Sequence, residues 1–300
     1  MEQATKNIFF LGKGGVGKST ASALTALHLA KTGHKTLLVS MDPAHNQSDI
    51  FEKKFSEKAV KVNENLSVKE TNIDLWVKKY LSDIQFQVKH TYSYLTAFNL
   101  ENYLDIIQYS PGIEEYALLM AYKSIRQKAK NTDYIIFDMP PTALTLKFLT
   151  LPRISLLWLD KLMDLRNKII EKKKIISKVK FGNKQIERDK IRNKLNHQID
   201  EYHQINTVFE DHTLTSLNLV LNTDKLSFSE SQLIVDKLAR FNIKIRNVFL
   251  NKLVSGFDTD KIQKEYADCG FQQFPLSNTP LLGIPALTSY LKQLPSFIEL

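Results

Sequence analysis

The chain has 300 residues, 43% of them hydrophobic and 24% charged, with a formal net charge of +9 and one cysteine, Cys269. This composition suits a folded globular protein and excludes a wholly disordered chain, a collagen-like repeat and a disulfide-dense secreted module. One thiol forms neither an intramolecular disulfide nor a cysteine-only zinc site within one subunit. No stretch approaches the roughly 18 uninterrupted apolar residues of a membrane span, and Met1 to Lys6 lack the apolar core of a signal peptide. A cytoplasmic location is expected.

In chain order, Asn7 to Leu11 reads as a short buried strand and Ser19 to Thr32 as a helix, with a glycine-rich loop between them. The loop, Gly12-Lys13-Gly14-Gly15-Val16-Gly17-Lys18-Ser19, satisfies G-x-x-x-x-G-K-[ST] in the strand-loop-helix setting that this pattern requires. Its glycines let backbone N–H groups, on to Thr20, turn inward around a polyphosphate. Lys18 is placed for the terminal phosphates, and Ser19 offers a hydroxyl to Mg²⁺. The implied cofactors are ATP and Mg²⁺.

A second strand, Lys35 to Ser40, leads to Asp42. A carboxylate at a strand's carboxyl end stands beside the phosphate loop of a parallel sheet, in reach of a water in line with the terminal phosphate. The competing role for Asp42 is a turn residue ahead of Pro43. Residues 73–130 follow as a helical block, within which Ser110-Pro111-Gly112-Ile113-Glu114-Glu115 reads as a helix start with Ser110 as cap and Pro111 at the first helical position. A third strand, Tyr134 to Phe137, ends in Asp138, a position suited to holding Mg²⁺ directly or through water.

Residues 149–212 form a second helical block. Between Lys161 and Lys194 there are 13 Lys or Arg against 4 Asp or Glu, which accounts for the whole net charge and leaves the remainder neutral. This stretch reads as two charged amphipathic helices broken near Phe181-Gly182-Asn183, either a solvated face or a surface for an acidic partner or anionic membrane. Strands at Leu217 to Leu221 and Asn247 to Leu250 complete the series. The fold class is α/β: one P-loop NTPase domain over residues 1–300, with a mostly parallel sheet flanked by helices and an inserted helical subdomain.

Lys13 adds a charge that a single phosphate cradle does not need. The pattern K-G-G-V-G-K-[ST] resembles the deviant Walker A group of dimeric ATPases, in which the first lysine crosses to the partner's nucleotide. Together with Asp42-Pro43-Ala44-His45-x-x-Ser48-Asp49-x-Phe51, Pro111 to Glu115 and the P-T-x-x-T-L core from Pro141 to Leu146, it resembles the arsenical pump-driving (ArsA) ATPase family, which includes factors delivering tail-anchored membrane proteins. The resemblance spans about 240 residues and implies a homodimer with ATP between its subunits. It places the adenine-contacting asparagine at Asn251, a ribose- or base-contacting carboxylate at Asp224, and the adenine-flanking loop at Pro275 and Leu276. Ala143 and Leu144 stand where the family's second switch carries glycine and histidine.

Two outputs remain open. One is an ATP-gated carrier for a hydrophobic membrane-protein segment, with Leu156, Leu157, Trp158, Leu159, Leu162, Met163, Leu165, Ile169 and Ile170 supplying an apolar face. The other is the catalytic subunit of an arsenite or antimonite efflux pump, for which one cysteine is too few to build a three-thiolate metalloid site. DNA partitioning on the basic stretch and nitrogenase-reductase-like chemistry rank below both, and no specific nucleic acid is expected.

Overall fold

The computed structural model describes residues 4–91, 110, 112–181, 189–254 and 256–298. Its centre is an eight-stranded sheet in the order β3-β4-β2-β5-β1-β6-β7-β8. The strands are β1 (Lys6–Leu11), β2 (Thr36–Ser40), β3 (Val60–Lys61), β4 (Leu66–Glu70), β5 (Tyr134–Asp138), β6 (Thr215–Asn222), β7 (Asn247–Leu253) and β8 (Gly270–Pro275). All pairings are parallel except β3 with β4. The helices are α1 (Lys18–Lys31), α2 (Asn46–Ile50), α3 (Ile73–Thr91), α4 (Ile113–Lys128), α5 (Thr142–Phe181), α6 (Lys190–Glu210), α7 (Lys225–Ala239), α8 (Asp260–Glu265) and α9 (Gly283–Gln293).

Period-two alternation along β1 divides the core into two layers. Phe9 and Leu11 face one layer with Tyr122, Phe137, Phe148 and Phe209, whereas Ile8 and Phe10 face the other with Phe249, Phe274 and Leu287. The register pairs Phe9 with Phe137, and their rings stack at 4.8 Å. Tyr122 is sealed into the same cluster, and burial pushes its phenol up to about 12.

The five expected strands are present, and three more join them. β4 carries Lys69 and Glu70, and β8 carries Gln272 and Gln273, so neither reads as an apolar run. Long-range partners make their burial tolerable: Lys69 pairs with Glu57 at 3.2 Å, and Gln272 accepts from the Ile298 N–H at 2.9 Å.

Two helix boundaries differ from expectation. α4 begins at Ile113, not Pro111, with Gly112 (φ 96°) as its cap. The chain enters the helix through a left-handed conformation that glycine adopts cheaply, and the Ser110 carbonyl accepts from the Ile113 N–H at 3.3 Å. Pro111 lies outside the described residues. The second helical block begins at Thr142 rather than Leu149, because the segment after Asp138 folds straight into α5; Thr145 Oγ1 donates to the Pro140 carbonyl at 2.6 Å in the first turn. The expected break near Phe181-Gly182-Asn183 falls at the edge of residues 182–188, which lie outside the described residues.

Candidate active site

The carboxyl ends of the parallel strands share one rim, and the sequence-derived candidates gather along it. Between β1 and α1 the loop from Gly12 to Gly17 passes against β6 and β7. A Cβ at Gly12 would strike the Val220 carbonyl, and one at Gly17 (φ 92°) would strike the Asn251 side-chain amide. Only glycine allows this approach. α1 then begins at Lys18 with neither a side-chain cap nor an acidic residue in its first turn, so its positive dipole end faces the loop uncompensated.

Lys18 is buried, and its ammonium donates to the Lys13 carbonyl at 3.3 Å. Burial lowers its pKa, while the charges of Asp138, Asp42 and Glu230 oppose that shift. From the β7 side, the Asn251 amide donates to the Val16 carbonyl at 2.8 Å, and Lys252 reaches the Gly15 carbonyl at 3.5 Å from a left-handed backbone (φ 54°).

The segment after β2 forms the second wall. Asp42 is buried, and its Oδ1 accepts from the Ala44 N–H at 3.0 Å, so the turn role considered for Asp-Pro is present. Past a left-handed His45, α2 turns two amides toward the start of α1. Asn46 donates to Ser19 Oγ at 3.3 Å. Gln47 Nε2 stands within reach of the Ser19 carbonyl (3.0 Å), Ser22 Oγ (3.1 Å) and Asp138 Oδ2 (3.0 Å), sharing two hydrogens among three acceptors. Glu70, at the end of β4, holds this segment by accepting from the Ser48 N–H and Ser48 Oγ, both at 2.8 Å.

Asp138 closes β5 in full burial, which raises its carboxyl from 3.8 to about 6 against the opposing pull of Ser19, Gln47 and Lys18. Its Oδ1 has no hydrogen-bond partner among the described residues. A buried, unpartnered carboxylate oxygen is costly in a folded chain.

The remaining candidates lie at the margin of the rim. Lys13 Nζ is 3.9 Å from Glu230 Oε2, within its own chain. Asp224 caps α7, accepting from the Ser227 N–H at 2.8 Å. Pro275 ends β8 with its carbonyl bound by the Tyr290 hydroxyl at 2.6 Å, and Leu276 beside it is exposed. Gln47, Glu70, Lys252 and Glu230 were not singled out from the sequence. Gln47 lies inside the quoted D-P-A-H segment, but only the fold brings the other three to the rim.

Comparison with known proteins decides the family. The ArsA_ATPase model, described as anion-transporting ATPase, matches residues 5–296. The chain belongs to the ArsA ATPase family. It is 31% identical over 257 residues to an Aquifex aeolicus protein whose name places it among arsenical pump-driving ATPases, covering 85% of this chain and 83% of that one. It is 33% identical over 282 residues to an ATPase ASNA1 homolog of Plasmodium vivax, covering 90% and 69% respectively. As a member of this family the chain is an ATP hydrolase.

In this ArsA-family ATPase, β5 runs through Asp138 into α5, which leaves the rim and packs against α6 and α4. Leu156 and Leu159, two members of the proposed apolar face, are buried in that packing. Ile154, Leu157, Trp158, Leu162, Leu165 and Ile169 are exposed, with Leu157 at 61% and Trp158 at 68%. Their spacing puts them on one helix face. By length and composition, Thr142–Lys172 is apolar enough to cross a membrane, but half of its apolar window is buried inside the protein.

Proposed function

We propose that two copies of this ATPase close face to face on ATP and Mg²⁺, and that closure and hydrolysis control an apolar surface on α5 that takes a hydrophobic helix of a membrane protein. The observation that carries this reading is the continuity of one helix. α5 starts four residues after the Asp138 carboxylate and presents its exposed apolar stripe farther along the same rod.

The residues present fit the nucleotide and its cation. The Asp138 Oδ1 left without a partner among the described residues, and a glycine loop whose Gly12 and Gly17 approach Val220 and Asn251 too closely for a Cβ, support a polyphosphate with a divalent ion. Ser19 and Asp138 would hold Mg²⁺, which when bound supplies charge neutralisation at the β- and γ-phosphates. Lys18 offers its ammonium to the terminal phosphates. Asp42, with one oxygen fixed by the Ala44 N–H, orients the attacking water and accepts its proton with the other. Gln47 holds Asp138 and the start of α1 in register, so little reorganisation is needed when substrate arrives.

In the two-copy reading Lys13 serves the partner's nucleotide. Asn251 contacts adenine, Asp224 the ribose or base, and Pro275 and Leu276 flank the adenine. The basic stretch from Lys161 to Lys194 provides contact with an anionic membrane surface.

The hydrophobic-helix reading is preferred to a metalloid pump because Cys269 sits at the opposite end of the sheet, at the start of β8, bound to the Ile245 carbonyl at 3.6 Å and with its thiol pKa raised by burial. The deciding experiment is steady-state ATP turnover of the purified chain alone, with antimonite, and with a hydrophobic transmembrane peptide in detergent. Acceleration by the peptide alone is expected. Acceleration by antimonite alone overturns the assignment of cargo and names the pump.

A further inference from the structure

Glu230 lies on α7 and belongs to no motif, yet its carboxylate faces the phosphate loop. Oε2 stands 3.9 Å from Lys13 Nζ, and Oε1 accepts from the Thr142 hydroxyl at 3.2 Å. Three elements meet there: the loop that cradles phosphate, the first residue of α5, and α7. Both charged side chains are about one-third exposed, at 30% and 32%, so the pair is reached by water and is readily exchanged for a stronger partner.

A carboxylate facing a polyphosphate cradle repels the substrate unless a cation covers it. Lys13 is that cation. A triphosphate carries more charge than one carboxylate and competes for the same ammonium, so the ion pair belongs to the nucleotide-free chain. Thr142 adds the mechanical link: while Glu230 is held by Lys13, it also restrains the first turn of α5 from outside the helix.

We infer that Glu230 is the positioning residue for Lys13. In the empty site it is the counter-ion of Lys13 and ties it to Thr142, and nucleotide capture by Lys13 breaks the tie and frees the start of α5. This rests on the proposed two-copy use of Lys13, but the tie itself exists in one chain and is testable there.

The test uses the full chain with Glu230→Ala, which removes both contacts, and Glu230→Gln, which removes the ion pair but keeps an oxygen that accepts from Thr142. In the nucleotide-free protein, backbone hydrogen exchange over residues 144–148 should rise severalfold in Glu230→Ala, with Thr142→Val matching it and Glu230→Gln intermediate. The ATP concentration for half-maximal dimerisation and the KM should fall together by about two- to fivefold in Glu230→Gln, the range a partly exposed ion pair allows, with kcat held. In a Lys13→Ala background, Glu230→Gln should change KM no further. Unchanged exchange, or an equal KM shift in that background, overturns the inference. A chain that never dimerises yet shows the exchange effect keeps the tie and removes the two-copy reading instead.

Discussion

Two stretches of α5 obey opposite rules. At its first turn the polar groups are tied down: Thr145 to Pro140, Thr142 to Glu230, and just upstream Asp138 to Gln47. Farther along, Leu157 and Trp158 are exposed. A 40-residue helix is about 60 Å long, so one continuous element joins the candidate site to an exposed apolar face. The difference suggests where the free energy of nucleotide binding is used. In the proposed reading the rim rearranges chiefly at Lys13 and Glu230, whereas the stripe gains most from acquiring a partner.

The largest expected effect falls on the rim. Asp42→Asn should lower ATP turnover by roughly 10²- to 10⁴-fold, the usual range for losing a general base, while fluorescent-nucleotide binding holds. Unchanged turnover would remove Asp42 from the chemistry and leave it as a turn residue.

Core and stripe residues of similar size should respond differently. Phe9→Ala, at the centre of the aromatic cluster, should cost about 3–5 kcal/mol in urea unfolding. Leu157→Ser with Trp158→Ser should cost about 0.5 kcal/mol or less, yet abolish acceleration by the transmembrane peptide. A large stability loss from the second pair would make the stripe part of the core.

Asp138 sharpens the comparison from the pH side. Its folded pKa is raised, so the stability contributed by its proton is full below about pH 4 and lost as pH rises through about 6. Asp138→Asn should therefore melt higher than wild type at pH 7.5, with the gap closing toward pH 4, while losing Mg²⁺-dependent turnover. Melting curves that coincide across that range would show that the carboxylate is not penalised in the empty fold. Smallest of all, neutralising Lys172, Lys173 and Lys174 should leave basal turnover alone and weaken sedimentation with anionic vesicles by about 1 kcal/mol per charge. Equal vesicle binding would return that stretch to a solvated face.

Legibility in the sequence followed contiguity. The loop from Gly12 to Ser19, Asp42 and Asp138 each sit beside their own strand in the chain, so pattern and position suffice to find them. Glu70 and Glu230 act across 22 and 88 residues of sequence, and only the sheet order brings them to Ser48 and Thr142. β4 was hidden because its charged residues are buried with partners, Lys69 on Glu57 and Glu70 on Ser48, and the apolar residues of α5 separate into buried and exposed sets only in the packing with α6. Spacing alone assigns Leu156 and Leu157 no different fate.

Lys13 carries the central claim, and sedimentation velocity of the wild type and Lys13→Ala, each with ATP and Mg²⁺, with ADP and with no nucleotide, tests it most directly. Wild type should become a dimer with ATP alone, and Lys13→Ala should bind ATP yet sediment as a monomer throughout. A wild-type monomer that turns over ATP at full rate, or a variant that dimerises as well as wild type, would contradict closure of two copies around the nucleotide.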